Sequence, residues 1–215
     1  MLQGVIQIYI DTIRICNPYP SEEFKNAVKN KLVCRQAIEN ETGEILYNVT
    51  NKSLEGSFDN RIYVGIKYDK STYQERIDVE CNINKLIIGH NVGGVISCPY
   101  EAGLILVGFI NKLAGIESQI NEWQYRRIDY AKMFNLGYEE AVKDYFIRLN
   151  SAEYSRRNVK RDGVTGLYST GSTTSLILYH KGTEFKKNKD YTRCKHVFGD
   201  IYAKRLLEYA KKCCG

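Results

Sequence analysis

Ser175-Leu-Ile-Leu-Tyr-His-Lys-Gly-Thr-Glu184 follows a turn-like Ser-Thr-Gly-Ser-Thr-Thr segment and opens with a short apolar run. An apolar run bounded by turn residues predicts a strand over 175–179. Strand alternation then puts Ser175, Ile177, Tyr179 and Lys181 on one face, with Leu176 and Leu178 on the other. A phenol and an ammonium become neighbours, and Glu184 stands just past the strand end. An adjacent positive charge favours the ionised phenol, and an activated tyrosine is a nucleophile that can form a covalent intermediate. With 17 tyrosines in the chain, the phenol alone would mean little. Its lysine singles it out.

Outward from this stretch, residues 164–168 are expected to pair with 175–179 as a hairpin turning around Gly171. Basic clusters flank it: Arg156, Arg157, Lys160 and Arg161 before, and Lys186, Lys187, Lys189, Arg193 and Lys195 after. The formal net charge of +6 is concentrated there. Cations beside a candidate nucleophile suit a polyanion, and an aromatic content of 12%, mostly tyrosine, supplies stacking surfaces for bases. The chain of 215 residues is long enough for one good core. It has no apolar run long enough to span a membrane, and its alternating N-terminus lacks the basic start of a signal peptide. Seven scattered cysteines, an odd number without a CxxC, suit a reduced, cytoplasmic protein.

Residues 5–16 alternate as a long strand, with Tyr9, Asp11 and Ile13 on one face. Pro18 and Pro20 close it. Ser21 reads as an N-cap ahead of Glu22 and Glu23, and the stripe Phe24, Ala27, Val28, Lys31, Leu32 predicts a helix to about residue 38, stopped by Gly43. Strands are predicted over 45–50, 61–68 and 76–83, with turns at 56–60 and 69–72. Residues 85–94 are an apolar run breaking into a Gly-His-Asn turn. Helices are predicted over 99–114, 138–149 and 200–212, and a strand over 122–134 in which Trp123, Tyr125, Arg127 and Asp129 share a face. The succession predicts an α+β domain over 1–215: an antiparallel sheet with helices packed mainly on one face and the other face free for a substrate.

Three histidines, His90, His180 and His196, leave no His-X-His metal pair, and neither a Gly-X-Ser-X-Gly elbow nor a GxxxxGK[ST] loop is present. Glu80, His90, Asp129 and Tyr179 could meet on one sheet face. Two carboxylates and one imidazole suit a hard divalent ion such as Mg²⁺ or Mn²⁺ better than zinc.

Val79-Glu80 followed by Lys85-Leu-Ile-Ile-Gly-His-Asn-Val-Gly-Gly94 resembles the Val-Glu … Lys-X-Leu-X-Gly-His-Asn-Val segment of the filamentous-phage gene II replication initiators. Arg127-Ile128-Asp129 resembles that family's Arg-Ile-Asp strand, Tyr179 to Glu184 its Tyr-X-Lys-X-X-Glu segment, and Ile10-Asp11 its N-terminal Ile-Asp. The motifs fall in the family's order over most of the chain. The resemblance implies a rolling-circle initiator related to the HUH-type endonucleases, with a ferredoxin- or RRM-like core. This chain would be the N-terminal nicking domain of a longer initiator. It implies Tyr179 as the nucleophile, Lys181 as stabiliser of the phenolate or of the developing phosphate charge, and Glu80, His90 and Asp129 as ligands of Mg²⁺ or Mn²⁺. Glu184 and Asp11 would support that shell. It also implies origin DNA, single-stranded or in a hairpin, as substrate; a host helicase and single-strand-binding protein as partners; and the bacterial host's cytoplasm as location. The chain departs from such enzymes in lacking the His-hydrophobic-His pair.

Two further readings stay open on the residues. One is a non-catalytic module that binds single-stranded nucleic acid; the other is a hydrolase whose metal activates water. Tyr168 is the alternative nucleophile, ranked second because no lysine follows it closely.

Overall fold

The computed structural model describes residues 7–31, 34–38, 40–43, 45–53, 61–69, 74–152, 158–162, 166–170, 175–187 and 190–215. In chain order they form β1 (Gln7–Asn17), α1 (Glu22–Lys31), β2 (Cys34–Ile38), β3 (Ile45–Ser53), β4 (Arg61–Asp69), β5 (Gln74–Asn82), α2 (Ile83–Ile88), α3 (Pro99–Ala114), a 3-10 turn (Ile120–Glu122) and β6 (Gln124–Asn135). There follow α4 (Glu139–Ser151), β7 (Asn158–Asp162), β8 (Gly166–Thr170), β9 (Ser175–Tyr179), α5 (Lys181–Lys187), α6 (Asp190–Phe198), α7 (Asp200–Lys211) and β10 (Cys213–Cys214). The class is α+β. Two compact units divide the chain: Tyr9–Tyr130, and Ala131–Gly215 with Met1–Ile8.

In the first unit the strands lie in the order β6-β1-β5-β4-β3-β2, antiparallel from β1 onward. With the β2–β3 hairpin set aside, β1-α1-β4-β5-α3-β6 in the spatial order β6-β1-β5-β4 is the ferredoxin-like arrangement. The register explains the two faces. Ile13, Ile15, Ile62, Val64, Ile66, Ile77, Val79 and Cys81 point to a core closed by Phe24 and Val28 of α1 and Ala102, Leu106, Val107 and Ile110 of α3. Pairing Arg14 with Glu80, Cys16 with Asp78, and Tyr63 and Gly65 with Glu80 and Asp78 sends those residues to the opposite face. That face is polar.

Ser21 caps α1 as expected, its Oγ accepting from the Phe24 N–H at 3.1 Å. The helix stops at Lys31, short of the predicted end, and Cys34–Ile38 pairs with β3 as β2. The pairing partner along β3 overrides the helical spacing there, as tertiary context routinely does. The apolar run after β5 is α2: Asn82 caps it through Lys85 N–H (2.9 Å), and Gly89 ends it with φ 77°. Helix α3 matches its predicted span. The predicted turn at 56–60 and residues 70–72 of the one at 69–72 lie outside the described residues, and Asp69 is the last residue of β4.

The second unit holds the sheet β7-β8-β9 and the helices α4 to α7. Val142 and Phe146 of α4 pack with Cys214 and against Leu178. The expected hairpin thus has a third strand, which carries Lys160 and Arg161; Arg156 and Arg157 lie outside the described residues. Of the basic residues after Glu184, Lys186 and Lys187 lie on α5 and Arg193 and Lys195 on α6, while Lys189 lies outside the described residues. Among the described residues no helix is long and apolar enough to cross a membrane.

Candidate active site

Strand β9 ends at Tyr179, and Lys181 opens α5 instead of extending the strand face. The turn is fixed from several sides. Tyr179 exchanges both backbone hydrogen bonds with Gly215, at 2.9 and 3.0 Å, and His180 bridges to Cys214 of β10. The His180 ring lies 2.9 Å from the Lys211 carbonyl through Nε2 and 2.6 Å from the Thr183 hydroxyl through Nδ1. A carbonyl only accepts, so Nε2 carries the proton and Nδ1 accepts. Gly182 lets α5 lie against α7: a Cβ there would stand 2.9 Å from the Lys211 Cα.

This scaffold brings Lys181 back onto Tyr179. The Lys181 side chain is fully buried, its Nζ donates to the Tyr179 hydroxyl at 3.1 Å, and it pairs with Glu184 at 2.9 Å. A buried ammonium needs such partners. The expected Tyr179–Lys181–Glu184 group is therefore assembled, by a strand–helix corner rather than by strand alternation. The corner's thiols are inert: burial pushes Cys213 and Cys214 each up to about 11. Tyr168 lies on β8, half-exposed, opposite Ile177.

The acidic residues gather in the first unit. Arg127 donates to both carboxylate oxygens of Asp129, at 2.9 and 2.5 Å, and lies 3.8 Å from Glu80. The hydrogen bond to Asp129 raises the guanidinium's already high pKa, and the charges of Glu80 and Asp11 act in the same direction. Asp11 accepts from Asn82 at 2.8 Å. His90 is buried in the turn after Gly89. The donor types suit a hard ion, but the arrangement does not fit one. Both Asp129 oxygens are taken by Arg127, and among the described residues no three His, Cys, Asp or Glu side chains are grouped to hold a metal. The anticipated common face is also broken at Trp123 and Tyr125. Trp123 turns into the core against Phe24, and the Tyr125 hydroxyl donates to the Pro99 carbonyl at 3.0 Å.

Of the expected DNA contacts, Lys160 and Arg161 are exposed on β7, and Lys186 and Lys187 are exposed at the end of α5. Sequence reasoning missed His180, Arg127 as the group that grips the acids, and the pairing of the Cys-Cys-Gly end with Tyr179. Only Gly182, a glycine opening a helix, left a local trace.

Residues 10–214 match the family model for the N-terminal region of the phage replication-associated protein of the gene II type. Comparison with curated proteins finds no match.

Proposed function

The chain belongs to the phage replication-associated protein family of the gene II type, matched through that family's N-terminal region, and from that premise we propose that it starts rolling-circle replication by nicking one DNA strand at an origin. Tyr179 is the nucleophile. Its oxygen attacks the scissile phosphorus, the bond from phosphorus to the 3′ oxygen breaks, and the phenol proton passes to solvent. The 3′ oxygen takes up a proton. The products are a 5′-phosphotyrosyl link and a free 3′-OH primer.

The observation that carries this reading is the buried Lys181 Nζ 3.1 Å from the Tyr179 hydroxyl. A cation fixed there favours negative charge on the phenol oxygen without reorganising during the reaction. Glu184 keeps that cation in place at 2.9 Å. Lys160, Arg161, Lys186 and Lys187, with Arg156 and Arg157, track the DNA backbone. A divalent ion, Mg²⁺ or Mn²⁺, belongs to the proposal through the chemistry of Glu80, His90 and Asp129, and its binding would require these side chains to be drawn together as well as Arg127 to leave Asp129. A host helicase, a single-strand-binding protein and a site of action in the bacterial cytoplasm belong to it as well.

The test is incubation with single-stranded oligonucleotides, with Mn²⁺ or with EDTA, followed by a denaturing gel. The expected result is a Mn²⁺-dependent protein–DNA adduct, abolished in Tyr179→Phe while non-covalent binding persists. An adduct lost only in Tyr168→Phe would move the nucleophile to the neighbouring strand. Binding without any adduct would favour the non-catalytic module, and strand cleavage without an adduct the water-activating hydrolase.

A further inference from the structure

We propose that the open face of the first unit's sheet carries a nucleotide pocket, in which Arg14 and Lys67 take a backbone phosphate of single-stranded DNA and Tyr63 stacks the adjoining base. The proposal rests on the reading of single-stranded DNA as substrate and adds where that strand is anchored.

The pocket is a hollow of about 280 Å³ lined by Arg14, Tyr63, Gly65, Lys67, Asp78 and Glu80. It exists because of the register. Gly65 pairs with Asp78 and brings no side chain, so β4 leaves a gap between Tyr63 and Lys67 on the polar face. Its volume is near the small end of ligand sites, enough for one nucleotide and too small for a duplex.

Charge decides the ligand's sign. Asp78 is buried and attended by three cations: Arg14 at 2.9 Å, Lys67 at 3.5 Å and Arg76 at 3.7 Å. Arg14 also donates a hydrogen bond to this carboxylate, from Nη2 to Oδ2. The pocket's other carboxylate, Glu80, lies 3.8 Å from Arg127. Asp78 itself is over-neutralised, with three cations to one carboxylate. The side chains of Arg14 and Lys67 are 31% and 43% exposed, so both reach a ligand while keeping Asp78. Tyr63, also 43% exposed, adds an aromatic face on the same side of the sheet. An aromatic platform beside a cationic groove is how single strands are held without duplex geometry.

The experiment uses the full chain and a single-stranded oligonucleotide carrying 5-iododeoxyuridine. Photo-crosslinking with mass spectrometry should place a crosslink on Tyr63. In parallel, Tyr63→Ser should weaken binding about 5- to 150-fold while Tyr63→Phe retains it, and Lys67→Gln should reduce the salt dependence by about 0.7 in the log–log slope. Melting curves check that each variant is folded. Crosslinks confined to other residues, with Tyr63→Ser and Lys67→Gln binding like wild type, overturn the pocket, and an adduct on Tyr179 in the same samples leaves the nicking reading standing. A Tyr63 crosslink without any adduct overturns the nicking reading and keeps the pocket.

Discussion

The two charge clusters differ in where they keep their charge. In the second unit the Lys181 ammonium is fully buried and has one acid and one phenol as partners. In the first unit, Arg127 and Asp129 meet with side chains 55% and 37% exposed, and Glu80 is near enough to share the guanidinium. A buried pair is rigid because any departure leaves an uncompensated charge in a low-dielectric interior. An exposed one gains little and exchanges its partners readily. The first arrangement holds a charge in one fixed position. The second suits groups that exchange one partner for another.

Breaking the buried cluster should have the largest effect. Lys181→Met breaks the buried ion pair with Glu184 and is expected to cost about 3–5 kcal/mol, read as a shift in the urea midpoint. Adduct formation should fall about 10²- to 10³-fold, as when a preorganised donor is removed from a reacting oxygen. The double variant Lys181→Met with Glu184→Leu should recover much of the stability and none of the activity, which separates the fold's use of the pair from the chemistry's. If the single variant is as stable as wild type, the cluster is not the tightly paired unit described here.

How much of this was legible beforehand follows from which interactions are local. Helix α3 could be read to the residue because Pro99 and its apolar run are both contained in the segment. Tyr179 and Lys181 were found two positions apart, yet for a geometry that does not occur. What joins them is a strand ending at Tyr179 and a helix beginning at Lys181, and that corner depends on Gly215 and Lys211, about thirty residues on. The run from Cys34 to Ile38 looked helical because its partner, β3, is not part of the local pattern. The acids at Glu80 and Asp129 were legible as a pair of carboxylates. That Arg127 stands between them was not, since its reach to Glu80 is set by the sheet and not by the Arg-Ile-Asp spacing.

Asp78 is intermediate in kind: it is buried like Lys181, but its partners Arg14 and Lys67 face solvent. Asp78→Asn should cost about 1.5–3 kcal/mol at neutral pH, the range for a hydrogen bond to a charged group. The sign of the pH dependence follows from the native carboxyl, which burial would raise but hydrogen bonds from Arg14 and Cys16 and the charge of Arg76 hold below its usual range. Stability is gained where the unfolded chain would bind the proton more readily, so the gap between wild type and variant is full above the ordinary aspartate value of about 3.9. It closes as pH falls through the depressed native value. A gap that widened in acid would contradict the ion pair.

The smallest effect is expected from the exposed cluster and sharpens the contrast most. Arg127→Gln removes the guanidinium from Asp129 and Glu80, and since the side chains are largely in water the loss of stability should stay under about 1 kcal/mol. Raising ionic strength should shrink even that difference, because salt screens charges at the surface more than those inside. A loss beyond about 2 kcal/mol would make Arg127 part of the fold and remove the reason for calling its partners exchangeable. The same variant bears on the divalent ion. With the guanidinium gone, Asp129 and Glu80 are released to other cations, so Mn²⁺ should raise the melting temperature of Arg127→Gln more than that of wild type. Equal shifts would mean that the ion does not compete with Arg127 and binds elsewhere, and the ligand set Glu80, His90 and Asp129 would then have to be given up.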